Sequence, residues 1–277
     1  MPDILVTHND LDGYGCKFVA RKIFPDIECM IASYGNCETV LHNALDEEPD
    51  MLIISDVWPG VGASDILLDR LNEQSNRLLI ILDHHKGQAK KQQEMFSKAV
   101  VWNTPEICAT KIMAEFFGLK LPGIDLVNEY DLSGTQEGQA GTLNAIFWEQ
   151  KKSLLSKMLN RNPFYFTKRE EKVFAKLETD RQEYFKKLLI EKFETNNHSV
   201  AFVDVDKYLS YVSKELLKSV ESVIINNKGK SLSIRSNEPF ALSIAEKLGG
   251  GGHLKAAGIS QIFSREIIKQ AVTEVFA

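Results

Sequence analysis

A chain of 277 residues, 44% hydrophobic and 26% charged, has the composition of a folded globular protein and length enough for two cores. Its formal charge of −5 excludes a surface that binds polyanions throughout, so any contact with nucleic acid is local. Cys16, Cys29, Cys37 and Cys108 form no C-x-x-C pair, which argues for reduced thiols and against thiolate zinc or a disulfide framework. The start Met1-Pro2-Asp3 is no secretory leader and no apolar run reaches membrane-spanning length, so a cytoplasmic protein without a membrane partner is expected.

In chain order, Ile4-Leu5-Val6 reads as a strand that breaks into Thr7-His8-Asn9-Asp10-Leu11-Asp12-Gly13, after which residues 14–24 take up helical periodicity. His8, Asp10 and Asp12 stand at alternate positions, so a roughly extended loop turns three metal-type ligands toward one point. The competing reading makes Asp10 or Asp12 a helix N-cap. No EF-hand pattern is present. Gly13 and Gly15 let the helix begin close behind the loop. A second strand (27–31) and helix (38–45) follow. Met51-Leu52-Ile53-Ile54-Ser55 is a further apolar run that delivers Asp56, closed by a Trp58-Pro59-Gly60 turn, and residues 65–72 are helical. Leu78-Leu79-Ile80-Ile81-Leu82 reads as a strand buried on both faces, releasing Asp83-His84-His85 at its carboxyl end, where open α/β sheets bind their ligands.

Lys86-Gly87-Gln88-Ala89-Lys90-Lys91 is basic; Lys90 and Lys91 fit a solvated helix face better than a substrate contact. Residues 99–102 read as a strand, 109–117 as a helix, and 124–131 as a helical segment ending in Asp131, with Asp125 and Glu129 close enough to compete for the same role. Strands alternating with helices predict an α/β fold whose N-terminal sheet is doubly wound and mainly parallel. Residues 151–192 are charged and helix-forming. The stripe Val173, Leu177, Tyr184, Leu188, Leu189 suggests packing between domains. Residues 194–198 read as a linker. Expected domains are therefore 1–150, a helical linker 151–198, and a smaller C-terminal α/β domain 199–277, with strands at 199–205, 222–226 and 231–235 and helices at 208–217, 241–248 and 265–275.

Within that last domain, Gly249-Gly250-Gly251-Gly252-His253 exposes backbone N–H groups to which phosphate oxygens can approach, particularly if a helix starts directly afterwards. It lacks the lysine and hydroxyl positions of a P-loop. Residues 199–277 carry ten basic and eight acidic side chains, whereas the rest of the chain is acidic. A weakly basic clamp facing an acidic, metal-holding sheet is the expected arrangement.

His8-Asn9-Asp10-Leu11-Asp12-Gly13, Asp56 after a strand, Asp83-His84-His85, Asp131 and the distant Gly249-Gly250-Gly251-Gly252-His253 together resemble the DHH superfamily of phosphoesterases with its DHH-associated C-terminal domain. The likeness spans nearly the whole chain in the family's order, and Asp-His-His and the glycine-histidine loop are its most specific parts. The resemblance implies a two-manganese phosphoesterase, with Mg2+ or Co2+ as substitutes. In it His8, Asp10 and Asp56 hold one ion, and Asp12, Asp56, His84 and Asp131 the other. His85 faces the scissile phosphate and Asp83 orients the histidines, the pair forming the catalytic set. Arg235, Gly250, Gly251, Gly252 and His253 bind substrate. The one-residue spacing between His8 and Asp10 matches RecJ-like branches better than pyrophosphatases.

The expected activity is hydrolysis of short single-stranded oligonucleotides to mononucleotides, as in oligoribonucleases. Alternatives are a dinucleotide from cyclic-dinucleotide signalling, 3′-phosphoadenosine 5′-phosphate, a longer single strand digested as by RecJ-type exonucleases, or a nucleotide-sensing module without turnover. A full set of acidic and histidine positions argues against the sensor. A homodimer is left open.

Overall fold

The computed structural model describes residues 1–33, 35–58, 63–85, 94, 96, 98–135, 137–149 and 154–277, with the side chain of His253 left aside. The expected Pro59-Gly60 turn and the basic segment around Lys86, Lys90 and Lys91 lie outside the described residues. Two units are present, Met1–Phe174 and Ala175–Ala277.

In the first unit, β1 (Asp3–His8), α1 (Leu11–Ile23), β2 (Glu28–Ala32), α2 (Cys37–Asp46), β3 (Met51–Ser55), α3 (Asp65–Gln74), β4 (Leu78–Asp83) and β5 (Val100–Asn103) alternate as expected. The strands form one parallel sheet in the order β2-β1-β3-β4-β5. Every residue of β3 is buried, as is all of β4 after Leu78, which explains why these strands read as unbroken apolar runs. Their alternate side chains serve two cores. Leu5, Ile53, Ile80 and Leu82 pack with α1 and with α4 (Ala109–Phe116), α5 (Pro122–Ser133), α6 (Gly138–Glu149) and α7 (Leu155–Leu159). Ile4, Val6, Leu52, Ile54, Leu79 and Ile81 pack with α2 and α3 on the other face. Each such side chain contributes about 1.5–3 kcal/mol by leaving water. With helices on both faces and the order reversing between β1 and β3, the crevice beyond these two strands is where a doubly wound sheet binds its ligand. β1 ends at His8 and β3 delivers Asp56.

The unit boundary falls within α8 (Lys168–Lys186). The second unit is a mixed six-stranded sheet, ordered β10-β11-β9-β8-β7-β6, of β6 (Ile190–Thr195), β7 (His198–Val205), β8 (Ser222–Asn227), β9 (Leu232–Ser236), β10 (Gly251–His253) and β11 (Ala256–Ile259). Only the β7–β8 pair is parallel, and α9 (Leu209–Leu217) makes that crossover. α10 (Ala241–Lys247) and α11 (Arg265–Phe276) cover one face, where Val200, Phe202, Ile224 and Ile234 are buried. Tyr184, Phe185, Leu188 and α9 cover the other.

Two expectations are corrected. Residues 194–198 are not a linker: β6 and β7 form a hairpin whose turn residues Asn196 and Asn197 have φ of 46° and 66°. Asparagine tolerates the left-handed region that a two-residue hairpin turn requires, so the pair reads equally well as a loop or a turn. The glycine run leads into the β10–β11 hairpin, so the condition of a helix starting directly after it is not met. Of the proposed apolar stripe, Leu177 is buried, but Leu189 is 92% exposed.

Candidate active site

The carboxyl ends of β1, β3 and β4 gather the acidic and histidine residues. β1 stops at His8, and Asp10 follows as the N-cap of α1, its side chain accepting the Gly13 N–H at 3.0 Å. Its other oxygen lies 2.7 Å from His8 Nδ1. Asp10 therefore caps the helix and still faces His8, whereas Asp12 lies in the first helical turn and in a different donor group, so the three do not turn toward one point as an extended loop would have them. Burial pushes the Asp10 carboxyl up, but the hydrogen bond and charge of His8 and the Gly13 N–H hold it below its ordinary value. α1 starts this close because residue 13 has no side chain: a Cβ there would lie 2.1 Å from the His8 carbonyl oxygen. Asp12, in the first turn of α1, is buried and accepts the Ala109 and Thr110 N–H groups, each at 2.8 Å.

Asp56 is 2% exposed and sits in the left-handed region at φ 61°, a conformation that costs a non-glycine residue about 1–2 kcal/mol. Its Oδ1 lies 3.3 Å from His84 Nε2, and its Oδ2 lies 4.0 Å from His8 Nδ1. That Oδ2 is fully buried and has no hydrogen-bond partner among the described residues. Burial, then the charges of Asp10 and Asp12, raise the Asp56 carboxyl well above the ordinary range.

Asp83 ends β4 and turns inward. Its Oδ1 accepts the His84 N–H at 2.8 Å and the His85 N–H at 3.3 Å, and lies 2.7 Å from His85 Nδ1. The Asn103 amide reaches Oδ2 at 3.5 Å. The two imidazoles, 4.6 Å apart between ring centres, are driven in opposite directions. Burial and the neighbouring His85 charge lower His84, outweighing the nearby carboxylates. Burial also opposes the charge on His85, but the hydrogen bond and charge of Asp83 raise it. The surroundings thus favour the neutral, ligand-type form of His84 and the protonated form of His85.

α5 presents Asp131, whose Oδ2 is 3.5 Å from His84 Nδ1. Its carboxyl is pushed up to about 8 by burial and the charges of Asp12 and Asp10. The competitors are elsewhere: Asp125 is exposed and pairs with Lys111 at 2.9 Å, and Glu129 is exposed. Three donor groups result, His8–Asp10–Asp56, Asp12–His84–Asp131 and Asp56–His84–His85, with the donor atoms of each within 4.8 Å of one another. Four carboxylates converge here with three imidazoles, and one buried oxygen has no partner among the described residues. Such a set fits a divalent cation, and its mixture of nitrogen and oxygen donors suits manganese better than magnesium.

No family model matches the chain. It is 26% identical to oligoribonuclease NrnB of Bacillus subtilis over 98% of its own length and 75% of that protein. It is 28% identical to a 3′,5′-cyclic-nucleotide phosphodiesterase of Helicobacter pylori, over 47% of this chain and 43% of that one. Among solved structures, the pGpG-specific phosphodiesterase PggH of Vibrio cholerae superposes over 99% of this chain and 98% of its own with a TM-score of 0.56 at 13% identity. An exopolyphosphatase-related protein of Bacteroides fragilis does so over 99% and 91%, with a TM-score of 0.54 at 13% identity. The last two show the fold alone.

These relatives indicate that the chain is a phosphoesterase of the DHH family. As such it is a hydrolase of phosphoric ester bonds, and the clustered residues are where this phosphoesterase can hold metal ions. Asn103, Ala109, Thr110 and Asn128 support the cluster and were not singled out by the sequence. Only Asn103, which ends the strand beside Asp83 in register, carried a usable signal. In the second unit, the Arg235 guanidinium donates to the Ile234 carbonyl at 2.9 Å and to the Ala257 carbonyl at 3.4 Å. Burial lowers its pKa, yet a guanidinium remains a cation at neutral pH. Among the described residues no carboxylate pairs with it. His253 lies in β10, and its side chain is outside what is described. The glycines differ. Gly249 and Gly252 need positive φ, of 73° and 142°, and a Cβ at Gly250 would meet the Gly258 carbonyl oxygen at 2.3 Å. A Cβ at Gly251 would meet nothing within 4 Å.

Proposed function

We propose that this phosphoesterase uses two manganese ions to hydrolyse short oligonucleotides or linear dinucleotides to mononucleotides. The observation that carries the metal reading is the buried, unpartnered Oδ2 of Asp56, which lies between two donor groups. His8, Asp10 and Asp56 would hold one ion, and Asp12, Asp56, His84 and Asp131 the other. A pair of divalent cations supplies Lewis-acid stabilisation of the phosphoryl oxygens and a nucleophilic water at neutral pH. Asp83 fixes the His85 ring through Nδ1, so that its Nε2 is the proton-bearing atom offered to the scissile phosphate. The short substrate is supported by the relative named as an oligoribonuclease, matched over 98% of the chain. It is also supported by charge. Residues 1–198 are net acidic, which opposes binding a long polyanion.

A panel from 3′-phosphoadenosine 5′-phosphate and a linear dinucleotide to a single strand of ~20 nucleotides, with and without manganese at fixed ionic strength, tests this. Turnover is expected only with the metal and fastest at two to a few nucleotides. Equal or faster digestion of the long strand would favour an exonuclease of the RecJ kind. Metal-independent binding without turnover would favour a sensor.

The second unit is proposed to grip phosphate through Arg235, His253 and the glycine hairpin. Arg235→Ala should keep both metals and raise KM ~10-fold or more, and Arg235→Lys should recover part of the binding, since lysine lacks the planar fork. Gly251 separates folding from binding, because nothing in the fold requires glycine there. Gly251→Ala should retain the thermal midpoint while KM rises; Gly250→Ala should lower the midpoint. Near-normal KM in both Arg235→Ala and Gly251→Ala would show that substrate is held elsewhere.

A further inference from the structure

Asp12 is held by a helix that begins 97 residues later in the chain. The first turn of α4 has no side-chain cap of its own from Cys108, and its leading N–H groups go to other helices. The Cys108 N–H donates to Asn128 Oδ1 at 2.8 Å, the Ala109 N–H to Asp12 Oδ2 at 2.8 Å, and the Thr110 N–H to Asp12 Oδ1 at 2.8 Å. The Thr110 hydroxyl donates to the Asp12 main-chain oxygen at 2.6 Å. Gly15 is the other half of this contact, since a Cβ there would lie 2.1 Å from Thr110 Oγ1.

A carboxylate oxygen offers two lone-pair sites, and the two N–H groups of α4 occupy one on each Asp12 oxygen. Both N–H groups belong to one rigid turn, which fixes the plane of the carboxylate. Oδ2 is then 3.7 Å from His84 Nε2. Asn128 precedes Asp131 by three residues on α5, so the same turn also anchors the helix that carries the other carboxylate near His84. Residues around a metal that orient its ligands change affinity ~10–100-fold when lost.

We propose that Thr110 is a positioning residue, which with the first turn of α4 sets the orientation in which Asp12 meets a cation, Asn128 doing the same for the helix bearing Asp131. This rests on the two-metal reading above. Metal-free protein titrated with Mn2+ by calorimetry, with thermal midpoints recorded before metal is added, tests it in wild type, Thr110→Val, Thr110→Ser and Asn128→Leu. Thr110→Val should weaken one of the two sites ~10-fold or more and leave the other unchanged. Thr110→Ser keeps the hydroxyl and should bind both ions like wild type. Asn128→Leu should weaken the same site as Thr110→Val, and carries the test if Thr110→Val does not fold. A lowered midpoint with unchanged affinity at both sites, or equal losses in Thr110→Ser and Thr110→Val, would overturn the proposal. A wild-type protein that bound no manganese would overturn the two-metal reading instead, a result distinguishable from an effect confined to the variants.

Discussion

Asp56→Asn is expected to bind neither manganese ion tightly, to lose activity by at least ~10³-fold, and yet to be more stable than wild type when both are free of metal. The same atom causes both effects. In the wild type its buried Oδ2 has no partner among the described residues, and burial with the charges of Asp10 and Asp12 raises the carboxyl far above the ordinary carboxylate range. An acid whose folded value is raised binds more protons in the native state than in the unfolded one. Metal-free stability therefore falls as pH rises above 3.8, and Asp131 adds to the slope up to its value of about 8. Asparagine removes the charge at nearly constant shape, and it tolerates the left-handed backbone at φ 61°. What the substitution relieves is the like-charge crowding of Asp56 with Asp10, Asp12 and Asp131. Melting curves of the metal-free proteins at several pH values should show Asp56→Asn gaining stability with a flatter slope, and a steeper slope or a lower midpoint at neutral pH would contradict the assignment. In the wild type, manganese uptake at pH 7 should release protons and weaken as pH falls, because Asp56 and Asp131 must both ionise.

Asp83→Asn separates orientation from metal binding. Asp83 is not a member of the three donor groups; its Oδ1 meets the two backbone N–H groups and the ring of His85. Asparagine can still accept from the backbone, but it removes the charge that raises His85. The expected result is retention of both manganese ions with kcat lowered ~10²–10⁴-fold, the range for loss of a positioned acid or base. The sign in metal-free protein follows from the two directions. Asp83 is lowered from 3.8 and His85 raised from 6.5, so their mutual stabilisation is fully present between these values. It is lost as pH rises through the raised His85 value and as it falls through the lowered Asp83 value, and Asp83→Asn should remove this dependence. Unchanged kcat with weakened metal binding would instead make Asp83 part of the metal site.

The parallel sheet was legible because β1, β3 and β4 are apolar runs that each end in a polar ligand-type residue, and a strand buried on both faces has few other ways to appear. The glycines behind His8 were legible as well, since only a close approach explains two of them in one helical turn. Choosing Asp131 over Asp125 and Glu129 required the rotation of α5, which directs Asp131 to His84 and Asp125 to Lys111. The Asn196-Asn197 hairpin was missed because its residues serve loops and turns alike. The hold of α4 on Asp12 was out of reach, because backbone N–H groups of Ala109 and Thr110 do that work and leave no mark of residue type.

Anomalous scattering at the manganese edge from crystals soaked in the metal tests the two-ion centre most directly. Two peaks are expected, one flanked by His8 and Asp10, the other by Asp12, His84 and Asp131, with Asp56 touching both. A single peak, or a pair of which neither contacts Asp56, would contradict it.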